Sequence, residues 1–430
     1  MTASHPVLAD PPPTVAARPA VDPGRQALNT AMAACYAEGE TIRDLADHTR
    51  TSYGTVHHGL VNENVTLRPK GSRRNHHRDP APPLRIGYSM WGPLTSGIPD
   101  TPDDSRAYRR GVIDAMQAAG NQVVLLPADC RRLGTGHRYR CDDKLPDLDA
   151  IVIEGQWPLP GRNTTVCGHD GHHCDVHRRQ ELLDHYTHGR RTPTVIWDQA
   201  RQLPTDDPLR LLPQVRVAEN ALCPTAGAVT VTVAVPDRLL AQADPAELAQ
   251  RDRTLPLVYV GDQHERHTAF ARYFAPAAAA FKHQVAGNWP TQLAWPHVTF
   301  TGRCQYDKAA DIHSSALATV LLLPDRYAAA GHLTSQLYEA VTRGCLPLTP
   351  ADIAVADQIT PTELHVHDGA DVIAKLRWLQ HIQGTREHHY LIAACLLHLR
   401  RYRLSTQVGT LLDTLHALTK RAPATSGTSR

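Results

Sequence analysis

The run at residues 319–350 constrains this chain more than any other. Residues 319–323, TVLLL, read as a short strand without a charge. A polar loop follows, then a helix-patterned segment over 334–343, Gly344, and a second apolar strand ending at Pro350. Leu337, Ala340 and Val341 recur at helical spacing, and Gly344 stands where a helix C-cap belongs. Strands apolar along their whole length are buried on both faces, which calls for a parallel sheet covered by helices. In an open sheet of that kind ligands bind beyond the carboxyl ends of the strands. A helix N-terminus placed there offers unpaired N–H groups and a favourable dipole to an anion. Ser335 and Glu339 lie on a different face of this helix from its apolar residues.

The same alternation occurs twice along the chain. The first α/β unit is predicted over residues 84–236. It opens with the strand LRIGYSM, a long polar loop, a helix carrying Tyr108, Val112, Ile113 and Met116 on one face, and the strand NQVVLLP. LDAIVIEG, TPTVIWD and VRVAEN supply further strands. Residues 237–253 are charged, rich in alanine and without a strand pattern, and read as an interdomain linker. The second unit, residues 254–421, begins with LPLVYVG and continues through HQVAGNW, VTFTGRC and the 319–350 run into helices that extend to its end. A disordered tail is expected over 422–430. The fold class is therefore α/β, with two Rossmann-like domains. At 430 residues the chain is long enough for cores of this size. It has no run of about 18 apolar residues that could cross a membrane. Nine scattered cysteines and no secretion-type N-terminus fit a reduced, cytoplasmic setting.

A different pattern precedes these units. Residues 1–24 are rich in proline and alanine and read as a disordered tail. Over 25–67, Leu28, Met32 and Tyr36 mark one helix. Thr41 caps a second with Ile42, Leu45 and Ala46 inward, and SYGTVHHGLVNEN forms a third. Three short helices with a tight second turn describe a helix-turn-helix domain. TIRDLA, SYGTVHHGL and VTLRPKG resemble the small helix-turn-helix modules of actinobacterial proteins. In that motif the third helix enters the major groove by its N-terminal residues. The resemblance thus nominates Ser52, Tyr53, Thr55 and His57 as DNA contacts. The basic and proline-rich linker at 68–83 places Arg68, Lys70, Arg73 and Arg74 along phosphates. A protein-docking role for the module is the alternative. One module binds DNA weakly, so a homodimer or a second contact is expected.

Two successive Rossmann-like domains with a helical end are the layout of the GT-B glycosyltransferases. YVGDQHERH resembles the strand and glycine turn that open their nucleotide-sugar domain, and TSQLYEAVTRGCLPLTP resembles the motif whose glutamate holds the donor ribose. The resemblance implies Glu339 as ribose ligand, Thr334 and Ser335 at the diphosphate, Gly261 at a close approach, and Arg266 or Arg303 neutralising phosphate charge. The expected activity is sugar transfer from a nucleotide-sugar donor to an acceptor hydroxyl. Adjacency of the two parts suggests a modified base in DNA as acceptor. A DNA-binding regulator whose body senses a nucleotide sugar without turnover is the rival reading.

Glycosyl transfer needs a stabilised diphosphate leaving group, which cationic groups or a helix terminus can supply without a metal cofactor. It also needs a base for the acceptor hydroxyl. In inverting GT-B enzymes that base comes from the first domain. Asp100, in the loop after the first strand, is the first candidate; Asp103, Asp104 and Asp198 are alternates. Separately, residues 166–177 hold Cys167, Cys174 and four histidines. With Cys130 and Cys141 they could form a structural zinc site, although the usual C-x2-C pair is missing. A histidine-rich loop in a chain with 26 histidines is the other reading.

Overall fold

The computed structural model describes residues 22–69, 81–90, 109–128, 130, 138–155, 175–304 and 306–421. Asp100, Asp103, Asp104, Lys70, Arg73, Arg74, Cys167 and Cys174 lie outside them.

The first sheet has seven parallel strands: β1 Arg85–Ser89, β2 Gln122–Leu125, β3 Arg140–Cys141, β4 Ala150–Glu154, β5 Thr194–Asp198, β6 Val215–Glu219 and β7 Val229–Thr230. Their order is β3-β2-β1-β4-β5-β6-β7, so strand order reverses between β1 and β4. All five residues of β4 and of β5 are buried, as strands covered on both faces must be. The second sheet is formed by β8 Leu255–Val260, β9 His283–Ala286, β10 Ala316–Val320, β11 Leu346–Pro350 and β12 His365–Val366, in the order β12-β11-β10-β8-β9.

Two expected strands moved. β10 starts three residues before the predicted one, because its pairing places Ala318 beside both Leu257 and Leu346. Leu321, Leu322 and Leu323 stay buried beyond its end, and Leu321 N–H still bonds Leu348 O at 3.0 Å. VTFTGRC is not a strand of the sheet. Only a single bridge joins Phe300 to Val285, beyond edge strand β9.

The helix-turn-helix is built from α1 Pro23–Ala37, α2 Ile42–Thr49 and α3 Tyr53–Asn62. Thr41 and Asp44 close a capping box on α2, and the Ser52 hydroxyl accepts from Thr55 N–H at the start of α3. Leu28, Met32, Leu45, Val56 and Leu60 fill the interior. α4 Arg109–Ala118 packs on the first sheet, α5 Ser335–Val341 follows β10, and the end of the chain folds into α6 Gly369–Ile382, α7 Arg386–Arg400 and α8 Leu404–Arg421.

Two features of the packing depart from the expected domain limits. First, α8 leaves the second unit and returns to the first. Its Leu411, Leu415 and Leu418 share a core with Ile113, Met116 and Trp197. Backbone bonds from Val235 N–H to Tyr402 O and from Leu404 N–H to Val235 O mark the double crossing. Second, the helix-turn-helix docks along α7 and shares its core. Gly24 approaches so closely that a Cβ there would sit 2.5 Å from Glu387 O. The Cys35 thiol donates to Leu397 O at 3.7 Å, and burial pushes it up to about 12. Arg400 bonds Glu40 at 2.8 Å, Arg401 pairs with Glu38 at 2.7 Å, and Arg50 bonds Asp244 at 2.8 Å. Burial opposes ionisation of Glu40, but bonds from His48 and Arg400 overcome it and hold the carboxyl at about 2.

Candidate active site at the domain seam

The glycine turn after β8 and the start of α5, at Gly261 and Ser335, are far apart in sequence but meet in space. A Cβ on Gly261 would lie 2.0 Å from Gln336 Nε2 and 2.8 Å from the Tyr259 hydroxyl. Gln336 uses that clearance to donate to Val260 O. On the other side Trp289 Nε1 donates to Gly261 O at 2.8 Å. Gly287, at φ +141°, packs against the same carbonyl, where a Cβ would come within 2.0 Å. The turn is thus held from three directions; Gly287 must be glycine, and a side chain at 261 would displace Gln336. Arg266 spans from this turn to the loop after β10: its Nε donates to Leu322 O at 3.1 Å, and its Nη1 to Asp262 O and His264 O at 3.2 Å.

Thr334, Ser335 and Glu339 are all buried; Glu339 is 9% exposed, which removes the reading of an ordinary surface carboxylate. Thr334 occupies the N-cap position, but its side chain makes no capping bond. Arg303 is exposed beside Gly302, whose carbonyl accepts from Gly287 N–H at 2.8 Å.

The loop between β10 and α5 also closes one end of the seam between domains. Arg326 donates to Ala200 O of the first domain at 2.6 Å and to Glu265 at 2.8 Å. Leu222 and Cys223 donate their N–H groups to Gly331 O and Ala330 O. Asn220 Nδ2 donates to Leu333 O at 2.8 Å and lies 2.9 Å from His332 Nε2. His332 stacks flat on Tyr327, with ring centroids 3.8 Å apart. Burial, with Arg326, Arg201 and Arg266 around it, pushes the imidazole down to about 3. His332 is therefore neutral at ordinary pH. Because Nε2 faces an amide donor, the proton belongs on Nδ1, which is buried and has no hydrogen-bond partner among the described residues. Three guanidiniums and a buried N–H donor thus converge where the second domain meets the first. The sequence reading missed His332, Gln336, Arg201 and Arg326.

Away from this junction a cavity of about 380 Å³ lies between the helix-turn-helix, the segment after β7 and α7, lined by Asp47, Arg50, Asp237 and Arg400 among others. In the first domain a cavity of about 310 Å³ opens at the carboxyl ends of β4 and β5. Gly155, Arg179, Gln180, His188, Gln202 and Asp207 line it. Arg179 Nε is buried without a hydrogen-bond partner among the described residues, and burial lowers its pKa against the pull of Asp207 and Asp198.

Several sequence expectations need correction. Asp198 is 1% exposed, and its carboxylate accepts from Gln202 N–H and Leu203 N–H at 2.9 and 2.7 Å. It organises a loop and is not offered to an acceptor. Cys130 and Cys141 are joined in a disulfide, so neither is a thiolate for zinc. Arg68 does not lie free for a phosphate. It donates to Gly39 O and Glu40 O, satisfying carbonyls past the end of α1, and sits 4.0 Å over the Tyr36 ring. Ser52 and Tyr53 are exposed at the start of α3, whereas Thr55 and His57 are half-buried.

Comparison with solved structures identifies the architecture. The T4 phage β-glucosyltransferase superposes with a TM-score of 0.54 at 12% identity, covering 77% of this chain and 99% of its own. A DNA-modifying β-glucosyltransferase solved with and without uridine diphosphoglucose gives 0.52 over the same shares. The fold is that of the GT-B glycosyltransferases. At the N-terminus, the family described as a helix-turn-helix domain matches residues 22–75. No curated protein matches the sequence. The T4 enzyme has been solved with UDP and Mn2+. Among the described residues of this chain no group of three His, Cys, Asp or Glu is placed to hold a metal ion. No described helix is long and apolar enough to cross a membrane.

Proposed function

We propose that this chain transfers a sugar from a nucleotide-sugar donor to a hydroxyl group carried by DNA. The observation that carries the reading is the junction of the Gly261 turn, α5 and the His332 loop at the domain seam. In this reading Glu339 accepts from the donor ribose. Thr334, Ser335 and the His332 Nδ1–H bind its diphosphate, with Arg266, Arg303, Arg201 and Arg326 lowering the cost of its charge. The acceptor oxygen attacks the anomeric carbon. A carbon–oxygen bond forms, the bond to the diphosphate breaks, and the nucleoside diphosphate leaves with the electron pair. Asp100 takes the acceptor proton. The cavity beside Arg179 receives the acceptor end. DNA as acceptor is supported by the helix-turn-helix being part of the folded body.

The test is transfer of radiolabelled sugar from a panel of nucleotide sugars to DNA containing hydroxylated bases. Label should reach DNA with wild-type protein and fall at least tenfold with Glu339→Ala and with Asp100→Ala. The rival reading is a non-catalytic sensor that binds the donor without turnover. Tight donor binding without turnover on any acceptor would establish that alternative and end the enzyme reading.

A further inference from the structure

We infer that the helix-turn-helix and the donor-binding domain form one rigid reader, so that the acceptor lies at a fixed offset along the duplex from the bases that α3 recognises. The inference deepens the DNA-acceptor reading above and rests on it.

The argument begins with what a tether would allow. If residues 68–83 alone joined the module to the body, a flexible segment of that length would have an r.m.s. reach of about 20–24 Å. At 3.4 Å per base pair, that freedom blurs the acceptor position over roughly seven base pairs. The observed docking removes it. Gly24 against Glu387 and Cys35 against Leu397 pin the two ends of α1 to α7. These points are separated by about 16 Å of helix. They fix a line, which still permits rotation about itself. Two contacts lie off that line, at the end of α2. Arg50 bonds Asp244, and His389 Nε2 lies 2.9 Å from Thr49 O. A line and a point off it leave no rotation.

The restraint reaches the reading helix directly. Arg50 adopts φ 52° and starts the turn that leads into α3, so its ion pair anchors the turn itself. Arg25 donates to Thr55 O in the first turn of α3 and sits 5.3 Å over the Tyr390 ring of α7. One side chain thus ties α3 to the donor domain. Ser52, Tyr53, Gly54 and His58 nevertheless remain exposed. The reading face is open while its mount is fixed, an arrangement that serves register more than reach.

The experiment maps the offset without presupposing the acceptor's chemistry. Full-length protein carries a photo-crosslinking amino acid in place of Leu293, which is 90% exposed in the loop beside the Gly261 turn. It is used to select duplexes from a random library, and crosslinked nucleotides are mapped against the enriched motif. Crosslinks should fall within about two base pairs at one distance from the motif. In Gly24→Leu and in the milder Arg50→Ala with Arg400→Ala, the motif should persist while crosslinks spread to roughly seven base pairs. Crosslinks spread that widely in the parent protein overturn the inference and leave the DNA-acceptor reading standing. A motif without crosslinks means that DNA never approaches the donor site, which removes both. A library with no enriched motif shows that α3 does not read bases and overturns the inference, whereas label transfer to DNA in the assay above would still uphold the acceptor reading.

Discussion

At the residue scale the site rests on the clearance that Gly261 leaves for Gln336. Gly261→Ala places a methyl group where Gln336 Nε2 now lies, so Gln336 must release Val260 O and the turn must move. Overpacking of this kind costs about 1–3 kcal/mol. Gly261→Ala should therefore lower the melting temperature and abolish the thermal shift produced by a donor nucleotide, measured by differential scanning fluorimetry. Glu339→Gln separates binding from folding. It keeps the shape of the side chain but loses a charged acceptor, a contribution of about 1.5–3 kcal/mol. Donor affinity should fall roughly 10- to 150-fold by calorimetry, with little change in stability. Unchanged affinity would remove Glu339 from the ribose. His332 was not found from the sequence, because nothing local to HLTSQ distinguishes a buried imidazole from the chain's many exposed ones. Its partner Asn220, 112 residues away, is brought to it only by folding.

At the element scale α7 is the informative case. Every residue from Tyr390 to Leu399 is buried, so the helix is covered all round. A helix apolar on all faces has more than one partner. HHYLIAACLLHL carries that signal in the sequence, and it could have indicated a second layer beyond the sheet domain. The partner is α1. Deleting residues 1–69 therefore exposes the face of α7 around Tyr390 and Leu397. The truncated chain should melt at a lower temperature and aggregate, as size-exclusion chromatography will show. Truncation is thus a poor probe of whether the module serves activity; substitutions on the exposed face of α3 are a better one. Tyr53→Ala should weaken DNA binding while leaving the melting temperature within about 2 °C, because exposed substitutions usually cost under about 0.5 kcal/mol, whereas adding Ser52→Ala also removes the α3 cap, at about 1 kcal/mol. A loss of cap energy at Ser52 would appear as the larger shift.

For the whole molecule, buried histidines set the response to acid. Burial pushes His313, His388 and His398 down to about 4, and His332 to about 3. Unfolding returns each to about 6.5. Between those values the unfolded chain binds protons that the folded chain does not, so the stability these groups contribute is present above about pH 6.5 and is lost as pH falls toward 4. Each proton is worth about 1.4 kcal/mol per pH unit. Denaturant melts at pH 7, 6 and 5 should show stability dropping steeply across this range, before most carboxylates titrate. A flat profile from pH 7 to 5 would show that these histidines are not buried neutral.

The sequence by itself determined the elements that local pattern can specify. The cap at Thr41, apolar spacing in α1 to α3, and largely apolar strands such as AIVIE and TVIWD follow from residues that are neighbours along the chain. The likeness of YVGDQHERH and TSQLYEAVTRGCLPLTP to a nucleotide-sugar domain was legible for the same reason, since each motif is one continuous turn and helix. Tertiary structure alone decided the rest. It returned α8 to the first domain, joined Cys130 to Cys141, turned Arg68 and Asp198 inward, and mounted the helix-turn-helix on α7. The return of α8, the Arg68 bonds and the docking on α7 depend on contacts between residues tens to hundreds of positions apart; the Cys130–Cys141 disulfide and the Asp198 bonds span only 11 and 4–5 residues but depend on how their loops fold. No periodicity encodes them, because burial of an apolar face requires a partner but does not name it.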